Sequence, residues 1–151
     1  MLSMNNGQAC LDDLRRRLYL LLKTPQLAGF ATVTPDGKPW VRYVMVETAP
    51  DLEMRFSSFA DSRKLTHIAR NPEVHLTCGV GDTLAVREYL QIEGRARFSQ
   101  DKVERERLWS DLLEGMFEGP DDPRYGVVIV TPYRIELHTV GCPDPEVWTA
   151  G

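Results

Sequence analysis

The chain of 151 residues is 42% apolar and carries 18 Lys and Arg against 22 Asp and Glu, a net charge of -4. That length suits a single domain able to bury its own core, and the acidic balance argues against a general nucleic-acid binder, which needs a basic excess on one face. No basic leader with an apolar stretch behind it opens the chain and no apolar run is long enough for a bilayer, so a cytoplasmic protein without a membrane partner is expected.

Residues 1–9 read as a loose tail. From Cys10 to Lys23, Leu11, Leu14, Leu18, Leu21 and Leu22 fall at helical spacing with charges between them, which predicts an amphipathic helix covering a sheet end or a partner subunit. Leu27 to Thr34 is apolar and β-branched, Pro35-Asp36-Gly37-Lys38 signals a turn, and Pro39 to Glu47 resumes as a strand, giving a hairpin. In the second strand Arg42 shares a face with Trp40, Val44 and Val46. An Arg on a buried face is paired or ligand-bound, so either an ion pair with a neighbouring strand or an anion is expected beside it.

Leu52 to Ser58 alternates as a strand, and Leu65, Ile68 and Ala69 fall at helical spacing up to Asn71-Pro72. The stretch Phe56-Ser57-Ser58-Phe59-Ala60-Asp61-Ser62-Arg63-Lys64 is therefore a strand-to-helix corner. Asp61 or Ser62 can cap the helix, which leaves first-turn amides facing a ligand among the hydroxyls of Ser57, Ser58 and Ser62. Arg63 and Lys64 in that first turn oppose the helix dipole at about 0.3 to 1 kcal/mol each unless an anion lies between. A phosphate removes the conflict; pairing with Asp61 as ordinary surface cations is the alternative.

Further strands are predicted over Glu73 to Val80 and Thr83 to Phe98, the latter interrupted at Gly94 as at a bulge or barrel corner. Gln100 to Phe117 reads as a second amphipathic helix, Gly119-Pro120-Asp121-Asp122-Pro123 as a loop, and Tyr125 to His138 as a last strand broken by Pro132. Residues 140–151 read as a loose tail on the surface or on a partner. Six strands joined mostly by hairpins make a mainly β (α+β) fold, a six-stranded antiparallel split barrel with peripheral helices in one domain spanning 1–151. Cys10, Cys78 and Cys142 fit neither a disulfide framework nor a zinc site, and no metal site is expected.

Taken in order, Arg42-Tyr43-Val44, the Phe56 to Lys64 corner, Asn71-Pro72, the Tyr89 to Gly94 strand, Leu108-Trp109 and the 119–123 loop resemble the pyridoxamine 5'-phosphate oxidase-like family of FMN-binding split barrels. The general stress protein 26 branch is the nearest in pattern, over roughly Leu20 to Leu137. The resemblance implies that Arg42, Ser62, Arg63 and Lys64 hold the FMN phosphate and that Tyr43, Val44, Ser57 and Ser58 line the ribityl chain and flavin edge. It implies a homodimer with two FMN sites at its interface, where Tyr89 reaches the flavin of the neighbouring subunit. Trp109 has ordinary packing as its simplest role.

Two departures bear on the reaction. Where true oxidases of that family have a Lys for the substrate phosphate, this chain has Glu47, and His138 with Gly141-Cys142-Pro143 stands where they carry a Trp followed by Arg and His. Oxidation of pyridoxamine phosphate is not expected. An FMN-dependent oxidoreductase acting on a small substrate is the first expectation, with no identified catalytic residue. A flavin carrier or sensor that catalyses nothing is the second, and a deazaflavin or haem could use the same barrel. Of the histidines, His138 is the one near a plausible site, while His67 and His75 have little to recommend them.

Overall fold

The computed structural model describes residues 2–82 and 84–151, apart from the side chains of residues 2–6. Met1 of the expected N-terminal tail and Thr83, the expected start of the long strand, lie outside the described residues. The elements are α1 (Leu2–Leu22), β1 (Gln26–Val33), β2 (Pro39–Thr48), β3 (Met54–Phe59), α2 (Arg63–Arg70), β4 (Glu73–Cys78), β5 (Glu88–Ser99), α3 (Lys102–Leu108), β6 (Tyr125–Thr139) and β7 (Glu146–Thr149). The strands lie in the order β3-β2-β1-β4-β5-β6-β7, all antiparallel, and β3 also pairs with β6, which closes six of them into a barrel. Among the described residues no helix is long and apolar enough to cross a membrane.

Alternation along each strand sends one face into a single core. Ala28 and Phe30 of β1, Val46 of β2, Phe56 of β3, Leu76 of β4, Leu90 and Ile92 of β5 and Val128 and Val130 of β6 fill the barrel. Leu14, Leu18 and Leu22 of α1 close one side of it. The opposite face of β6, Val127 and Ile129, is covered by Leu108, Leu113 and Phe117 around Tyr125, so the first half of β6 is buried on both sides. At mid-strand β6 changes partner: Tyr125 to Val130 pair with β3, whereas Arg134 to Leu137 pair with β7. The change falls where Gly94 meets Pro132 at a register shift. A Cβ on Gly94 would lie 2.8 Å from a Val130 methyl and 3.0 Å from the Thr131 carbonyl, so the close approach requires glycine.

Several elements differ from the sequence expectations. Residues 2–9 are helical, continuing α1 toward the N-terminus instead of forming a tail. The C-terminal segment is not loose: Gly141, Pro143 and Pro145 are spent on the turn after Thr139, and Glu-Val-Trp-Thr is left free to pair as β7, with Trp148 against the core. Asp82 accepts from the Leu84 amide and holds a turn there, so the long strand starts at Glu88. The second helix ends at Leu108, and after extended residues a single turn of 3-10 helix spans Asp111–Leu113. Leu108 and Leu112 suggest one continuous face, yet Leu112 is exposed and Leu113 is the residue that reaches the cluster.

Arg55 fixes α3 to the barrel. Its side chain points outward from β3, is buried, and donates to Glu104 of α3 at 2.7 Å and to Glu53 at 2.6 Å. Truncating Glu104 leaves a buried guanidinium with one carboxylate, so Glu104→Ala should lower unfolding stability by about 1 to 3 kcal/mol. Urea denaturation checks this; an unchanged midpoint would contradict the role.

Candidate functional site

The site begins where the barrel fails to close smoothly. β2 and β3 share only two ladder pairs, Glu47 with Arg55 and Thr48 with Met54, and beyond them the strands diverge. Residues 39–46 of β2 and 56–59 of β3 thus keep facing edges unpaired with each other, a slot lined by main-chain donors and acceptors. Tyr43 and Val44 lie on one wall of that slot, Ser57 and Ser58 on the other. The Ser58 hydroxyl donates to the Phe59 carbonyl at 3.0 Å, and Ser57 is half-buried.

The corner after β3 turns the chain into α2 across the end of this slot. Ser62 is the N-cap residue, with extended backbone, but its side chain does not cap the helix. Its Oγ accepts from Lys64 Nζ at 2.7 Å. Arg42 reaches the same region from β2, where Nη1 donates to Thr32 Oγ1 at 2.7 Å, to the Trp40 carbonyl at 3.1 Å and to the Phe30 carbonyl at 3.4 Å. The Arg63 guanidinium lies over the Trp40 ring, 5.6 Å from its centre.

Each of the three cations is held by a neutral group. Among the described residues, none of them takes part in an ion pair, whereas Arg17, Arg55, Arg95, Arg124 and Arg134 each meet a carboxylate. Asp61, the expected surface partner, pairs with neither Arg63 nor Lys64. Burial lowers the pKa of Lys64, and the charge of Arg42 lowers it further; Arg42 is lowered by burial and then by Arg63. These are signs of positive charges gathered without compensation, at a helix N-terminus whose dipole opposes them as well. An anion placed there relieves all of these conflicts together.

His67 and Thr32 belong to this cluster and were not apparent from the sequence. His67 is buried on α2 one turn beyond Arg63, and its Nδ1 lies 2.8 Å from Thr32 Oγ1. Burial, then Arg42 and Arg63, push its imidazolium pKa below the ordinary 6.5. Two signals were available: Thr32 occupies the inward phase of β1 after Ala28 and Phe30, and His67 lies at i+4 from Arg63.

Not every expected residue meets here. The Tyr43 side chain points away from Arg42 onto the outer face, where a hollow of about 280 Å³ is lined by Gly29, Val41, Arg42, Tyr43 and Thr77. Val44 packs inward against the core, so both residues face the slot through their main chain. Tyr89 lies away from the cluster, stacked on His138 with ring centres 4.9 Å apart and planes within 7°. His138 Nε2 is buried without a hydrogen-bond partner, 3.6 Å from a Glu136 oxygen. Trp109 packs on Tyr125 in the second core cluster.

Residues 16–139 match the family described as pyridoxamine 5'-phosphate oxidase. The chain belongs to that family. General stress protein 26 of Bacillus subtilis is 27% identical over 134 residues, which is 89% of this chain and 94% of that protein. The pyridoxine/pyridoxamine 5'-phosphate oxidase of Ehrlichia chaffeensis is 26% identical over 137 residues, 83% of this chain and 66% of that enzyme. The crystal structure of general stress protein 26 from Bacillus anthracis superposes with a TM-score of 0.77 at 24% identity, over 91% of this chain and 98% of that one. The split-barrel fold expected from the sequence is thus the fold of the family.

Two outcomes follow from the site. Inorganic phosphate in the low millimolar range, at constant ionic strength, should raise the melting temperature, and Arg63→Ala should abolish that gain; calorimetry decides. The fold holds His67 neutral, so its contribution to stability is complete above pH 6.5 and is lost as pH falls through the lowered value in the folded protein. Imidazole proton shifts followed by NMR should give a midpoint for His67 below 6.5 in ligand-free protein.

Proposed function

We propose that the protein is an FMN-binding flavoprotein that works as an oxidoreductase on a small substrate. The single observation carrying this is the set of Arg42, Arg63 and Lys64, three cations oriented by neutral groups at the head of a slot with free main-chain edges. A phosphate monoester fits the head, where Ser62 adds a hydroxyl, and a ribityl chain with its hydroxyls fits main-chain edges and the serines Ser57 and Ser58. The chain's membership of a flavin-binding family supports the same ligand. When bound, FMN supplies hydride and electron transfer at its ring system; the residues named here bind and orient it.

The pyridoxamine phosphate oxidase reaction itself is not part of the proposal. Glu47 stands exposed at the end of β2, and a carboxylate there repels a second, substrate phosphate. A homodimer is part of it. The outer face of the β1–β2 hairpin exposes Leu27 (60%), Val41 (67%), Tyr43 (78%) and Met45 (55%), a contiguous apolar strip beside Arg42 that a second copy would cover. That second copy would also bring its own Tyr89 toward the flavin, the position the family pattern suggests for it.

Protein purified from a flavin-replete host is expected to be yellow, to release FMN on heating, and to be reduced by a nicotinamide donor. Arg42→Ala together with Lys64→Ala should abolish both the colour and the turnover. Bound FMN with no turnover on any acceptor would make the protein a flavin carrier; a bound deazaflavin or haem in its place would overturn the FMN assignment. Tyr43→Asp should convert the dimer to monomer in sedimentation equilibrium, and a wild-type monomer would overturn the dimer.

A further inference from the structure

We infer that His67 is a positioning residue: through Thr32 it fixes the orientation of Arg42, and so sets how strongly the site prefers a phosphorylated ligand over the same ligand without its phosphate. The inference rests on the phosphate reading above. It follows from what each atom can donate. A guanidinium donates only, so the 2.7 Å contact between Arg42 Nη1 and Thr32 Oγ1 uses the hydroxyl as acceptor. No other acceptor for the hydroxyl proton is found among the described residues, so the 2.8 Å contact to His67 Nδ1 is assigned as the hydroxyl donating to the ring nitrogen. The direction runs one way, from Arg42 to Thr32 to His67, with the ring neutral and its proton on Nε2.

Burial gives this chain of hydrogen bonds its force. Thr32 and His67 are both buried, so the hydroxyl has no water to turn to. Without the imidazole lone pair its proton would rotate, and one of the directions open to it faces the Arg42 N–H groups. The remaining anchors of Arg42 are the two longer carbonyl contacts at 3.1 and 3.4 Å and the Phe30 ring, whose centre lies 5.8 Å from the guanidinium carbon. A loosened Arg42 still carries its charge but no longer presents its remaining donors in a fixed fork, and fixed geometry is what gives an arginine its selectivity for phosphate. His67 never touches the anion in this scheme; its effect passes through Thr32.

The test compares FMN with riboflavin, which differ only in the phosphate, by fluorescence titration of apoprotein. Wild type should prefer FMN. His67→Leu and the isosteric Thr32→Val should each cut the FMN-to-riboflavin preference by roughly five- to tenfold, the scale of one lost buried hydrogen bond. His67→Asn, whose amide oxygen sits on Cγ as Nδ1 does and can accept the same proton, and Thr32→Ser should restore it to within about twofold of wild type. If His67→Leu lowers the melting temperature but keeps the preference, His67 is a packing residue and the inference is overturned. The same holds if His67→Asn fails to rescue in a folded protein. A wild type that binds both flavins equally would overturn the phosphate reading itself, a separate failure.

Discussion

Uncompensated positive charge is the constraint from which the rest of this structure is best understood. Three cations converge at the start of α2, and each is tethered by a neutral partner: a threonine hydroxyl, a serine hydroxyl or an indole face. Elsewhere among the described residues six arginines meet carboxylates, the buried Arg55 two of them. A carboxylate at the cluster would stabilise the free protein, but it would also occupy the place of a ligand. Full occupancy by an anion returns the deferred stability by mass action, about 2.7 kcal/mol when ligand stands at a hundred times its dissociation constant.

The barrel is arranged to keep that place open. β2 and β3 pair for two residues and then separate, while β3 finds its full ladder on β6 instead. To serve both β3 and β7, β6 must run long and bend, and the bend is made at Gly94 and Pro132. The cover over the first half of β6, α3 with its 3-10 turn, is fastened by Arg55 and Glu104 on the face opposite the core. Departure from a regular barrel thus occurs where a ligand's hydrogen bonds can replace those of a missing ladder.

Much of this was legible in the sequence because the signals were local. The strand-to-helix corner, the turn chemistry at Pro35 to Lys38, and Gly94 as an irregularity depend on residues close together in the chain, and the structure contains all three. Arg42 announced itself as a charge on an apolar face. What escaped depended on tertiary context. Thr32 and His67 are ordinary residues until β1 and α2 are packed together, and the slot exists only because β2 and β3 part company. Tyr89 lies away from the cluster within one chain, stacked on His138. The C-terminal tail was misread because turn residues near residue 140 suggested a segment lying loosely on the surface or a partner, whereas they make the connection that lets a short apolar strand pair.

The most direct measurement is a crystal structure of the protein grown with FMN. The account predicts phosphate density between the Arg42 guanidinium and the first turn of α2, within hydrogen-bond reach of Ser62, Arg63 and Lys64, with the ribityl chain along the facing edges of β2 and β3. Phosphate bound elsewhere, or FMN absent while Arg63 and Lys64 pair with Asp61, would contradict it.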